Sequence, residues 1–157
     1  MPRLDTSGAA VGFANDSRQY LTFALGGEEY GVEILKVQEI RGYAPITPIP
    51  NTPPHVMGVM NLRGAIIPVV DLRRTLTMPA TEYTPFTVIV VVTVGTRVMG
   101  MIVDAVSDVL DIAQPDIQAT PDFGTQVDAR FIQGMARTAG KLVILLDIDR
   151  VLGEEQS

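Results

Sequence analysis

The feature that most constrains the fold of this chain is an internal repeat, in which two segments recur later at constant spacing. In the first segment three residues match after 69 positions: Gly31 with Gly100, Val37 with Val106 and Ile40 with Val109. In the second segment the spacing is 76: Gly58 matches Gly134, Gly64 Gly140, Asp71 Asp147, Leu72 Ile148, Arg74 Arg150 and Leu76 Leu152. The change of spacing falls in connecting loops, where insertions are tolerated. The sequence therefore predicts two copies of one unit.

Each unit has the pattern of short strands that end in a turn of helix. The segments YLTFAL and TVIVVVTV are rich in β-branched and aromatic residues and end at glycine-marked turns. The apolar stretches GVEILKVQEI and GMIVDAVSDV follow these turns, which predicts one hairpin in each unit. Four or five strands per unit favour a small barrel, and the chain is expected to be all-β.

The repeat also predicts how the chain is divided. A unit of about 65 residues buries little apolar surface when it is alone. We therefore expect one domain over residues 18–153, whose halves at about 18–80 and 84–153 pack together or exchange strands. Residues 1–17 and 154–157 are expected to form flexible tails.

Composition and charge exclude several classes of function. The net charge is −6 with only two lysines, whereas nucleic-acid binding needs clustered basic residues. The longest apolar run, Val88–Val94, is far shorter than the ~20 residues of a membrane-spanning helix, and the N-terminus does not resemble a signal peptide. These observations predict a cytoplasmic protein that does not insert into a membrane.

The sequence offers little for catalysis, cofactors or metals. The chain has no cysteine and one histidine, His55, which leaves few ways to build a nucleophile and its base. The sequence contains neither GxxxxGK(S/T) nor GxGxxG, the two glycine-rich motifs that bind phosphate groups. The acidic pairs Glu28–Glu29 and Asp147–Asp149 lie where a hairpin turn and a helix start are expected, so we assign them structural roles. No enzyme, cofactor or metal site is predicted.

Two residues near the end of the first unit are interpreted as architecture. Asp71 precedes LRRTL and its counterpart Asp147 precedes IDRVL, which is typical of helix N-caps. Pro68 lacks an amide donor, so it predicts an edge strand or a bulge.

Arg63 is the strongest candidate for a residue that serves function rather than fold. Both units have a glycine after this position, but the second unit has Ala139 where the first has Arg63. Arg63 is therefore either a solvated turn arginine or a residue that binds a partner, since arginine is enriched at interface hot spots. Glu39 has the acidic counterpart Asp108, so a structural role competes with a place in a mixed interface.

Two further features leave alternatives open. Asp104, Asp108 and Asp111 recur through DAVSDVLD, and a solvated rim of a strand is the simpler interpretation. Phe123, in PDFGT, either plugs the end of a barrel or is an exposed anchor for another protein.

Four segments together resemble the CheW family, the coupling proteins of bacterial chemotaxis. The resemblance covers about residues 18–153 and is carried by LGGEEYGVEILKVQEIRGY, VMGVMNLRGAIIPVVDLR, VSDVLDI and LVILLDIDRVL. It implies two intertwined five-stranded SH3-like β-barrels and a non-enzymatic adaptor. It also implies two partners, the cytoplasmic tips of methyl-accepting chemoreceptors and the regulatory domain of the histidine kinase CheA, with other CheW copies as a third partner in rings. The adaptor would be recruited to membrane-associated receptor arrays.

The resemblance also implies contact residues. Val37, Glu39 and Arg63 match the first-half binding positions, and Val88, Val106 and Val109 lie in segments that approach or support the receptor groove. Asp122 and Phe123 match the loop that contacts the kinase in rings. For each valine the alternative is plain core packing.

Two other functions compete with the adaptor. SH3-like and OB-like barrels often bind nucleic acid, although the acidic charge and the scarcity of aromatic residues argue against it. An enzyme built on the carboxylates would require a bound metal or an activity that Asp147→Asn abolishes without unfolding the chain.

Overall fold

The fold is almost entirely β-structure in a computed structural model that describes residues 17–44, 46–53, 55–79, 81–113, 117–118, 128–138 and 140–153. Its strands are β1 (Ser17–Leu25), β2 (Glu28–Glu33), β3 (Val37–Gly42), β4 (Val56–Leu62), β5 (Ala65–Asp71), β6 (Val88–Val94), β7 (Arg97–Val103), β8 (Ala105–Ala113), β9 (Ile117–Gln118), β10 (Ile132–Thr138) and β11 (Lys141–Leu146). The helical segments are α1 (Leu72–Thr75), α2 (Ile148–Gly153) and the 3₁₀ turns Ile34–Lys36 and Ala129–Phe131.

The strands form two sheets, and each sheet takes strands from both halves of the sequence. The first barrel has five strands in the order β3-β6-β7-β5-β4, so it contains the hairpin of the second half. The second barrel has the order β8-β1-β2-β11-β10-β9, so it contains the hairpin of the first half. The prediction of an all-β chain of two intertwined barrels is confirmed, and the two-residue strand β9 adds a sixth strand to the second barrel.

The exchange occurs where each long apolar stretch is interrupted. GVEILKVQEI is divided by the 3₁₀ turn Ile34–Lys36, which separates β2 in the second barrel from β3 in the first. GMIVDAVSDV is divided at Asp104, which separates β7 from β8 in the same way. The sequence pattern did not reveal that each stretch would supply strands to both barrels.

The repeat is visible in the strand pairing as well as in the sequence. Gly31 on β2 pairs with Leu145 on β11, and its counterpart Gly100 on β7 pairs with Val69 on β5, both in parallel register. A Cβ at Gly31 would lie 3.0 Å from Leu145 Cδ2, and one at Gly100 would lie 2.9 Å from Ile89 Cγ2. A side chain at either position would therefore force the packed neighbouring side chains to shift, which favours glycine at both.

Strand β6 shows why the core holds the two barrels together. Ile89 and Val91 point into the first barrel. Val90, Val92 and Val94 point the other way, into a core that is shared with strands of the second barrel. Because β6 is buried on both faces, its sequence is continuously apolar rather than alternating.

The N-cap prediction is confirmed in both units, whereas of the two alternatives for Pro68 the edge strand is wrong and a bulge does occur in the β4–β5 ladder that contains this proline. Asp71 Oδ1 accepts a hydrogen bond from the Arg73 amide at 3.0 Å, and Asp147 Oδ1 accepts one from the Arg150 amide at 3.2 Å. Strand β5, which carries Pro68, lies inside the sheet between β7 and β4. The parallel pairing with β7 begins only at Val69, so Pro68 precedes the first pair of that ladder.

Asp104 is not part of a solvated rim, because it anchors the bend between β7 and β8. Its carboxylate accepts two hydrogen bonds from the Arg73 guanidinium, at 2.9 and 2.6 Å, and one from the Gly26 amide at 3.0 Å. Burial would raise the pKa of Asp104, but the hydrogen bonds from Arg73 and Gly26 outweigh it and hold the pKa below its ordinary value. The aspartates Asp108 and Asp111 are exposed, as predicted.

Asp104→Asn is expected to remove about 1–2 kcal/mol from the free energy of unfolding at pH 7, since solvent reaches part of the pair. Because the folded-state pKa is lowered, this stabilisation is present above the unfolded-state pKa and is lost as the pH falls through the folded-state value. Urea unfolding from pH 7 down to pH 3 should therefore show the difference between the two proteins shrinking. Asp149→Asn is the control, because it removes a carboxylate from the more exposed ion pair of Asp149 with Lys36. It should lower the free energy of unfolding by less than about 0.5 kcal/mol. A pH-independent effect of Asp104→Asn would contradict this account.

Candidate functional site

The candidate site is centred on an ion pair between Arg63 and Glu39. Arg63 and Gly64 form the two-residue turn between β4 and β5, with φ angles of +50° and +89°. The Nη2 atom of Arg63 donates a hydrogen bond to Glu39 Oε2. Strands β3 and β4 are the two edges of the sheet, so this ion pair joins one edge of the first barrel to the other.

A second connection closes the same barrel. The Thr47 amide donates to the Val59 carbonyl at 2.9 Å, and the Val59 amide donates back to Thr47 at 3.0 Å. Thr47 follows β3 in the chain and Val59 is on β4, so the bridge brings the two edges together. The ion pair of Glu39 and Arg63 and this bridge thus both connect the β3 side of the barrel to the β4 side.

The ion pair keeps both of its members charged. The hydrogen bond from Arg63 is the main cause that lowers the pKa of Glu39, and the charge of Arg41 lowers it further. Arg41 lies on the same strand, with its Nη1 atom 3.5 Å from Glu39 Oε1. The side chain of Arg63 is 67% exposed, so most of its donor-bearing surface faces solvent. The site can therefore present a fixed guanidinium to another molecule.

Of the four valines of the predicted site, three are half-buried against the core and one is exposed. Val37, Val88 and Val106 are half-buried and pack against the shared core, which is the alternative that the sequence left open. Val109 on β8 is 45% exposed. Its repeat counterpart Ile40 on β3 is similarly exposed, at 43%. Each barrel thus has an exposed apolar residue on an edge strand.

Two residues of the predicted site, Asp122 and Phe123, lie outside the residues that the structure describes. The same is true of Ala139, the counterpart of Arg63. The roles of Asp122 and Phe123 stay predictions from the resemblance.

Sequence reasoning missed several residues that the structure brings forward. Arg41 contacts Glu39, and Asn61 contacts the turn that carries Arg63. Three large apolar side chains are strongly exposed: Leu35 at 90%, Phe86 at 73% and Ile66 at 63%. The exposure of Leu35 was not predicted, because this residue lies in an apolar stretch that has the pattern of a single strand. For Asn61 the sequence signal was its position at the start of the turn NLRG.

The acidic pairs that were considered for chemistry have structural partners. Glu28 accepts a hydrogen bond from the Tyr30 hydroxyl at 3.2 Å. Asp149 Oδ2 lies 2.8 Å from Lys36 Nζ, and Asp147 caps α2. Within the part of the chain that the structure describes, no group of three or more histidine and acidic side chains could hold a metal ion.

Comparison with known proteins decides the family. The model of the CheW-like domain matches residues 19–156. The chain belongs to the CheW-like family. It is 42% identical over 148 residues to the chemotaxis protein CheW of Rhizobium meliloti, an alignment that covers 94% of this chain and 96% of that protein. It is also 42% identical over 139 residues to the chemotaxis protein CheW of Klebsiella aerogenes, covering 88% of this chain and 84% of that protein.

A solved structure of a CheW-like protein supports the fold. The scaffolding protein TtCheW from Thermoanaerobacter tengcongensis superimposes with a TM-score of 0.79 and 34% sequence identity, over 85% of this chain and 86% of that one. Two barrels that share one core are thus the fold of this CheW-like chain as well as of its relative. Among the described residues, none of the helices has the length and apolar character needed to cross a membrane.

Proposed function

We propose that this chain is a non-enzymatic adaptor of chemotaxis signalling that couples chemoreceptors to a histidine kinase. Its relatives in Rhizobium meliloti and Klebsiella aerogenes are named chemotaxis proteins, and its solved relative is titled a scaffolding protein. Acidic side chains such as Asp147, Asp149 and Glu39 form a helix cap and ion pairs. These contacts suit a protein that binds other proteins at its surface. The proposed partners are the cytoplasmic tips of methyl-accepting receptors and the regulatory domain of CheA, together with further CheW copies in rings.

The observation that carries the proposal is the exposed ion pair of Arg63 and Glu39 on an edge of the first barrel. Strand β3 carries Glu39 of this pair together with half-buried Val37, and protein partners use such mixed surfaces, with apolar area for affinity and charge for orientation. The second unit has Ala139 in place of Arg63, so the guanidinium is not part of the scaffold that both units share.

The remaining parts of the proposal follow from the same reading. Residues 18–153 are the proposed coupling domain, and residues 1–17 and 154–157 its proposed tails, although β1 already begins at Ser17 and the family model reaches residue 156. Val88, Val106 and Val109 support or extend the receptor contact, and Asp122 with Phe123 contributes to the ring contact with the kinase. The chain acts in the cytoplasm at receptor arrays and turns over no substrate.

Arg63→Gly is expected to weaken binding to at least one partner about tenfold while the fold is retained. Glycine is chosen because it adopts the φ of +50° without strain, so the loss of the guanidinium is not accompanied by an unfavourable backbone conformation, whereas alanine would keep the steric penalty that Arg63 already carries. Separate pull-downs and titrations with a receptor signalling fragment and with the CheA regulatory domain would measure the effect and assign the surface.

Arg137→Ala is the matched control for Arg63→Gly, since Arg137 is an exposed arginine on the equivalent hairpin of the second barrel. It should bind both fragments as the unmodified protein does. Failure of the unmodified protein to bind either fragment at micromolar concentration would refute the adaptor function. Unfolding of Arg63→Gly would show instead that Arg63 is structural.

A further inference from the structure

The turn that carries Arg63 has an unusual residue in its first central position. Two-residue turns with positive φ at both central positions usually contain Asn-Gly or Asp-Gly, because most side chains disfavour this conformation. Here the pair is Arg63-Gly64. Gly64 adopts its φ of +89° freely, but Arg63 needs an additional contact to be held at +50°.

Asn61 provides that contact. Its side-chain Oδ1 accepts a hydrogen bond from the Gly64 amide at 2.9 Å. Asparagine side chains commonly bond backbone amides in this way and thereby fix turns. Asn61 itself is exposed and pairs with Ile66 across the hairpin, so its side chain does not contribute to the core. The side-chain hydrogen bond that the structure gives for Asn61 is the one from the Gly64 amide in the turn.

The two units of the repeat differ at the positions of both Asn61 and Arg63. The second unit keeps the glycine of this turn as Gly140 but has Arg137 in place of Asn61 and Ala139 in place of Arg63. A hairpin of this fold therefore forms without either residue. What distinguishes the first unit is the pairing of a turn-fixing carboxamide with a guanidinium that reaches Glu39.

We propose that Asn61 is a positioning residue, whose side-chain oxygen fixes the β4–β5 turn so that Arg63 reaches Glu39 and faces a partner in one orientation. The statement about the partner rests on the proposed adaptor function, but the statement about the turn does not. Without Asn61 the guanidinium would sample several positions, and a partner would have to order it again on binding.

The first test uses the free protein. In NMR titrations, Asn61→Ala should raise the pKa of Glu39 toward its ordinary value, because the hydrogen bond from Arg63 is the main cause of its lowering. Arg41 also faces Glu39 and is unchanged, so the pKa should recover only in part. Asn61→Ser keeps an oxygen acceptor and should give an intermediate value, whereas Arg137→Ala, at the equivalent position, should have no effect. An unchanged Glu39 pKa in Asn61→Ala would overturn the proposal whatever the partner is.

The second test measures binding with the same receptor and CheA fragments. Asn61→Ala should lower the affinity about fivefold for the partner that depends on Arg63, which is the cost of ordering one long side chain on binding. In an Arg63→Gly background the same substitution should have no effect, since the residue that it positions is gone. An equal loss of affinity in both backgrounds would show that Asn61 contacts the partner itself and would overturn the positioning role. If the Glu39 pKa shifts but Arg63→Gly binds both fragments normally, the positioning role stands and the adaptor assignment of Arg63 fails.

Discussion

Gly58→Ala is expected to remove about 3 kcal/mol or more from the free energy of unfolding, which is a large share of the stability of a typical domain. A Cβ at this position would lie 2.1 Å from the Thr47 carbonyl oxygen and 2.9 Å from Pro48 Cα. These are backbone atoms, so no side-chain rotation relieves the overlap. Thr47 makes the two hydrogen bonds with Val59 that close the first barrel, and the added methyl group must break them. The φ of +143° at Gly58 is a further obstacle, because side chains rarely adopt it.

Denaturant unfolding followed by far-ultraviolet circular dichroism would measure this loss. Gly42→Ala is the control, because Gly42 lies on β3 of the same barrel and a Cβ there has no atom within 4 Å. The control should stay within about 1 kcal/mol of the unmodified protein. A Gly58 variant as stable as the control would mean that the closure by Thr47 and Val59 contributes little to the fold. We also expect Gly58→Ala to disturb the ion pair of Glu39 and Arg63, which depends on the same closure.

Much of the fold could be predicted from the repeat, because the matched residues have matched structural duties. The spacing of 69 identifies Gly31 and Gly100, which both face packed side chains of a parallel neighbour. The spacing of 76 identifies Asp71 and Asp147, which both cap helices. The exchange of hairpins left only weaker signals. It depends on the 3₁₀ turn Ile34–Lys36 and on a single bend, both of which lie inside apolar stretches that have the pattern of unbroken strands.

The edge-strand interpretation of Pro68 was wrong for a related reason, whereas a bulge, the other alternative, does occur in the β4–β5 ladder. A proline within an apolar run indicates an edge strand when every residue of a central strand must pair on both sides. Strand β5 is central, but its two ladders have different lengths. Pro68 pairs with Val59 on β4 and precedes the first pair with β7, which is formed by Val69. Sequence alone does not report where a parallel ladder begins.

The candidate site was predictable in its residues but not in its geometry. The contrast between Arg63 and Ala139 identified the arginine, since only one unit has it. Its contact with Glu39, 24 residues earlier in the chain, follows from the closure of the barrel and has no local signal. Asn61 could be identified only after the φ of Arg63 was known, because its value lies in holding a conformation that arginine does not favour.

Arg63→Glu is expected to have the largest effect on binding, a loss of about 100-fold or more for the partner that contacts this surface. The substitution removes the guanidinium and places a second carboxylate beside Glu39, so the surface changes sign as well as shape. Titration calorimetry with the receptor fragment and with the CheA regulatory domain, at two salt concentrations, would measure the loss and its electrostatic share.

The charge-swapped protein, Glu39→Arg with Arg63→Glu, separates the two roles that the pair could have. It restores opposite charges across the barrel edges, so a purely structural pair would regain function in full. If Arg63 instead meets a partner, the swap presents the wrong charge at that point, and binding should stay as weak as in Arg63→Glu. Arg41 supports Glu39 but would repel an arginine at the same position, so the charge variants also carry Arg41→Gln and are compared with Arg41→Gln alone. Thermal unfolding of Arg63→Glu and of the charge-swapped protein should stay close to that of the reference protein, since the pair is exposed to solvent and contributes little to stability. Full recovery of binding in the swapped protein would therefore assign the pair to the fold and leave the adaptor surface to the apolar residues of β3 and β8.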